Sequence, residues 1–169
     1  MPRPDLSRVP EFYHNYIGHV KIDDLMPAFK ENSASFVDFL KNIPAAKHDY
    51  RYAEGKWSVK EVLQHLIDAE RIFSYRALRF ARKDQTPLPG FEENDYVANA
   101  KTEKRKWNDL VEEFQAVRKS TELLFGSFDK EQLESSGVAN TNSNYVLAIG
   151  FITVGHCKHH QNVIRERYL

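Results

Sequence analysis

The sequence predicts an all-α fold, and three observations carry that prediction. Long segments place apolar residues at three- and four-residue intervals, the period of one helix face. Alternating apolar and polar runs bounded by hairpin turns are missing. A polar stretch of about sixteen residues, Asp84 to Asn99, separates the second and third long helices. That is enough chain to return along a bundle, so these two helices are predicted to run parallel.

The first clear helix is expected over 24–42, with Pro27 tolerable in its first turn. Leu25, Phe29, Phe36, Phe39 and Leu40 supply its buried stripe, and Pro44 helps to end it. Upstream, Phe12 to Val20 reads as a short packing helix. The second helix has a strong start signal: Ser58 as cap, Glu61 three residues later to complete a capping box, and Trp57 placed to staple onto Val62. From Val59 to about Arg82, the residues Val62, Leu66, Ala69, Phe73, Ala77 and Phe80 trace an inner face, with His65 at its border. Pro87, Pro89 and Gly90 mark the following segment as a crossover loop. A third helix is expected over roughly 101–125, with Trp107, Leu110, Phe114, Val117, Thr121 and Leu124 inward. Phe128 to Leu133 can form one short helical turn, and Gly137 to Asn144 reads as polar linker. The last helix begins after Ser143 or Asn144, and Ile149, Ile152, His156, His160 and Val163 share one stripe. Gly155, beside His156, would let a neighbouring element or ligand come close.

At 169 residues the chain fits one domain, residues 1–169, able to bury a core without disulfides. Lys plus Arg and Asp plus Glu are 24 each, so no global field recruits polyphosphates or anionic surfaces. Neither nucleic acid nor membrane is an expected partner. The single cysteine, Cys157, excludes an intramolecular disulfide and fits a reducing compartment. With no signal-like N-terminus and no membrane-length apolar run, a cytoplasmic protein is expected.

Three histidines carry the functional signal. His156 and His160 lie four apart on one helix face, where neutral imidazoles can grip one divalent ion. His65, from another helix, would be the third nitrogen donor and leave positions open for water or substrate, the pattern of a catalytic site. The competing reading is that histidines on apolar helices are packed, hydrogen-bonded core residues.

With those residues placed, nearly the whole chain resembles the DinB/YfiT-like superfamily of four-helix bundles. The resemblance lies in GKWSVKEVLQHLIDAERIFSYRALRFAR at 55–82, RKDQTPLPGFEENDY at 82–96 and GHCKHHQNVIRERYL at 155–169. It implies a bundle of up-down-down-up topology and a metal site at His65, His156 and His160. The family includes metal-dependent transferases that use low-molecular-weight thiols, an isomerase of related chemistry, proteins assigned as hydrolases, and many without known activity. Its name refers to induction by DNA damage, not to DNA binding.

A three-histidine site with an open position can lower the pKa of bound water or thiol, giving hydroxide or thiolate at neutral pH. The expectation is therefore a metal-dependent thiol transferase or hydrolase, using Zn²⁺ or Ni²⁺ and a small-molecule substrate. A zincin-type protease is excluded, because Cys157 rather than glutamate follows His156. The alternative is a non-catalytic, stress-associated bundle with a structural or vacant site; apolar residues on outer faces could support a homodimer. No general base is identifiable. His159 is turned about 100° from His160 around the helix and fits a surface or supporting role. Cys157 reads as a small buried apolar residue. Asp68 could receive the other ring N–H of His65, or instead pair with Arg71. Among Arg71, Arg76, Arg79 and Arg82, an inward-facing member could hold a substrate carboxylate, although surface ion pairs explain most of them. Tyr75, Tyr96 and Trp107 could line a pocket or belong to the core.

Overall fold

Helix signals in the chain translate into seven helices and one hairpin in the structure, a computed structural model that describes residues 3–169. In order these are α1 (His14–Gly18), α2 (Leu25–Lys41), α3 (Val59–Ala81), α4 (Glu93–Asn99), α5 (Trp107–Gly126), α6 (Lys130–Glu134), β1 (Ser136–Ala139), β2 (Asn142–Tyr145) and α7 (Val146–Arg167). The four long ones, α2, α3, α5 and α7, make a bundle. The capping box predicted for α3 is formed: the Glu61 amide donates to Ser58 Oγ at 3.3 Å, and Ser58 N–H donates to the Glu61 carboxylate at 2.6 Å.

Side-chain pairs fix the helix directions. Phe29 meets Phe125 and Phe36 meets Phe114, so α2 and α5 are antiparallel. Arg71 meets Glu113 and Ser74 meets Thr121, so α3 and α5 are parallel. His65 meets His160 and Phe73 meets His156, so α3 and α7 are antiparallel. Leu25 packs at Gly150 and Phe39 beneath Arg165, so α2 and α7 are parallel. The order is up-down-down-up, and the parallel α3–α5 pair requires the long crossover that the sequence predicts.

Two apolar clusters fill the bundle. One contains Phe29, Ala77, Phe80, Phe125 and Phe151, the other Phe36, Leu63, Ile67, Phe114 and Ile164. Between them lies a charged layer that the sequence does not advertise. Arg118 donates to both carboxylate oxygens of Glu70, at 2.7 and 2.8 Å, and to Asn32 Oδ1 at 2.7 Å, with all three side chains buried.

Three local expectations are corrected. The crossover is not all loop, because Glu92 caps α4 within it. The third long helix starts at Trp107 rather than near 101, since Lys101 adopts a left-handed φ of 52° and residues 102–104 form a 3-10 turn. Residues 137–144 are not a linker but most of the β1–β2 hairpin, whose turn residues Asn140 and Thr141 have φ of 50° and 62°. The crossover supports it: Leu88 N–H donates to Val138 O at 2.9 Å and Asn140 N–H to Leu88 O at 3.0 Å. Among the described residues no helix is long and apolar enough to cross a membrane.

Candidate metal centre

The antiparallel α3–α7 contact brings the three predicted histidines together. His65 is on the second turn of α3, held by the Ser58 cap, and His156 and His160 stack one turn apart on α7. His156 Nε2 lies 3.1 Å from His65 Nε2 and 3.1 Å from His160 Nε2. The three ligand atoms are all within 4.8 Å of one another.

These distances suit coordination. Two imidazole nitrogens bound at 2.0–2.1 Å and separated by 90–109° at an ion stand about 2.9–3.4 Å apart. Protons satisfy the arrangement poorly. A neutral imidazole nitrogen offers one N–H or one lone pair, so His156 Nε2 cannot make two good hydrogen bonds to two other ring nitrogens. Burial pushes His65 down to about 4 and His156 and His160 well below their ordinary value, with the neighbouring imidazoles adding to the effect on the latter two. All three are therefore neutral at pH 7, with lone pairs available to a cation.

Aromatic rings hold the imidazoles in place. Trp57 lies 4.9 Å from the His65 ring, and Tyr16 and Phe73 stand edge-on to His156 at 5.2 and 5.7 Å. Tyr16 is placed by Gly155, where an added Cβ would come within 1.9 Å of the Tyr16 carbonyl oxygen. The close approach expected at Gly155 is thus by α1, not by a ligand. One side of the cluster faces a cleft of about 310 Å³, whose wall includes Phe12, Tyr13, Ala69, Phe73, Arg76, Phe91, Glu93 and Asn140.

Other sequence candidates separate cleanly. Asp68 does not reach His65: it accepts from Gln64 Nε2 at 3.0 Å and pairs with Arg71 at 3.8 Å. His159 is outside the set of converging ligand atoms, and its ring lies 5.1 Å from His160, 5.3 Å from Tyr16 and 5.7 Å from His19. Cys157 is buried on the charged-layer side of α7, and burial pushes its thiol up to about 11, so it is an inert thiol at neutral pH. Tyr75 and Tyr96 are about half exposed, and Trp107 stacks on His48 at 4.1 Å; none lines the histidine cleft. Arg76 does line it, a position that four arginines at helical spacing left undetermined.

A family model described as the DinB superfamily matches residues 28–164. The chain belongs to the DinB superfamily. Among solved structures, this DinB-superfamily chain is similar to YfiT from Bacillus subtilis, described as a probable metal-dependent hydrolase with an unusual four-helix bundle topology. The TM-score is 0.72 at 16% identity, over 97% of this chain and 90% of that one. At that identity the likeness speaks to the fold. No curated protein matches the sequence. The DinB match starts after Phe12, Tyr13 and Tyr16, so these cleft residues come from outside the matched region.

Proposed function

We propose that the protein is a metal-dependent enzyme of the thiol-transferase or hydrolase kind, in which His65, His156 and His160 hold Zn²⁺ or Ni²⁺. The observation that carries this reading is the convergence of three neutral ring nitrogens, from the buried His65 and His156 and the half-buried His160, at the wall of an open cleft. A divalent ion held there supplies Lewis acidity, lowering the pKa of a thiol or water that binds to it. Burial keeps the three imidazoles unprotonated, and Trp57, Tyr16 and Phe73, which share the cleft wall with them, limit their ring orientations. The cleft's size suits a small molecule, such as a low-molecular-weight thiol and its acceptor. A structural ion would favour a closed, fully protein-ligated site, which a cluster bordering a cleft does not resemble.

The test loads the protein with zinc or nickel and follows two reactions: conjugation of a small thiol to 1-chloro-2,4-dinitrobenzene, and hydrolysis of p-nitrophenyl esters. Turnover in one of them, lost on chelation and in H65A, H156A and H160A variants, is expected. Equal turnover by the variants, or none with either metal, would contradict the proposal.

A further inference from the structure

Among the described residues two arginines are buried, and they are treated differently. Arg118, 2% exposed, is neutralised by the bidentate Glu70 carboxylate. Arg76, 6% exposed, donates to the Pro89 carbonyl at 3.1 Å, and among the described residues it has no carboxylate within ion-pair distance. Tyr13 is a second polar neighbour: burial raises the phenol's pKa, while the Arg76 guanidinium pulls it back down. Glu93 borders the same cleft but is exposed and makes no ion pair with Arg76. Burying a charge without a counter-charge is costly, and proteins normally pair it. The guanidinium also borders a second cavity of about 20 Å³, room for a water but not for an organic anion. Its open side is therefore the histidine cleft.

We infer that the cleft takes a substrate bearing a carboxylate, and that Arg76 receives it. The inference deepens the proposed reading of this site and rests on it. His65, Ala69, Phe73 and Arg76 follow at intervals of four, four and three residues, so they line one face of α3 and all reach the cleft. Eleven residues at 1.5 Å per residue separate Arg76 from His65 by about 16 Å along the helix, or on the order of 10–16 Å with side-chain reach. Phe73, Phe12 and Phe91 supply an apolar wall. The fitting molecule carries its reacting atom at one end, an apolar middle and a carboxylate about ten bonds away.

The test compares 8-mercaptooctanoate with its neutral amide by calorimetry, on zinc-loaded and zinc-free protein. The parent is expected to bind the carboxylate roughly tenfold to a hundredfold more tightly than the amide, as suits a charge-assisted contact. R76Q should bind both equally while keeping its zinc and its circular dichroism. R76K, which keeps the charge but loses the two-pronged geometry, should retain a reduced preference. Binding of neither probe, equal binding by the parent, or a preference undiminished in R76Q and R76K would overturn the inference. Zinc content judges the metal reading separately: a parent that takes up no zinc yet prefers the carboxylate would sink that reading and leave Arg76 in its role.

Discussion

Glu70 and Arg118 show how much one residue can matter away from the site. Their carboxylate and guanidinium are 3% and 2% exposed, so each is the other's replacement for water. E70A should destabilise the fold by about 3–5 kcal/mol in urea unfolding, because it leaves a buried cation unpaired. Replacing both at once, as E70L/R118M, should recover most of that loss, since the apolar clusters on either side can close over the layer. An E70A protein as stable as the parent would show that the pair is not the desolvated bridge described. At the same scale the sequence was informative about His65, His156 and His160 because spacing and two separate helices constrain them. It named Arg76 among four arginines without singling it out, and it left Asp68 open between His65 and Arg71, of which the structure shows Arg71. Helix periodicity does not distinguish an arginine over a cleft from its solvated neighbours, and Gln64, four residues before Asp68, competes with His65 for the same carboxylate.

Among the elements, α3 and α1 set the site's geometry. The α3 start is fixed by the capping box and by Arg51, which grips the Glu61 carboxylate and donates to Oε1 at 2.7 Å. Burial pushes the Glu61 pKa up, but the bonds from Arg51 and Ser58 outweigh it, so the folded value lies below the ordinary 4.5. The unfolded chain therefore binds more protons than the folded one as pH drops through 4.5. This contribution to stability is full above 4.5 and is lost as pH falls through the folded value. E61Q keeps the cap's hydrogen-bonding shape without the charge, so its urea midpoint should fall less than the parent's between pH 5 and pH 3; parallel curves would refute the assignment. The α1 seat is steric. G155A would drive a methyl into the Tyr16 carbonyl, and a cost of about 1–3 kcal/mol in thermal or urea unfolding is expected. A neutral G155A would mean that α1 is loosely held. Capped helices were legible because their signals are local. The β1–β2 hairpin was not, because its polar four-residue strands lack an alternating pattern and depend on pairing with Leu88, about fifty residues earlier in the chain.

For the whole molecule, the up-down-down-up path does the assembling. A direct antiparallel connection after α3 would remove one wall of the cleft, whereas the crossover delivers Phe91 and Glu93 and braces the hairpin that presents Asn140. The antiparallel α3–α7 pairing then places three ring nitrogens from two distant parts of the chain at one point. Sequence reading reached this topology through loop length and family resemblance, but the cleft is made of tertiary contacts that no local pattern encodes. The most direct test is the metal content of untagged protein purified without chelators, measured beside an H65A/H156A/H160A variant shown by circular dichroism to be folded. About one zinc or nickel per chain in the parent and none in the variant is predicted. A parent that carries no metal and takes up neither zinc nor nickel when offered, or a variant that binds as much, would contradict the assignment of the centre.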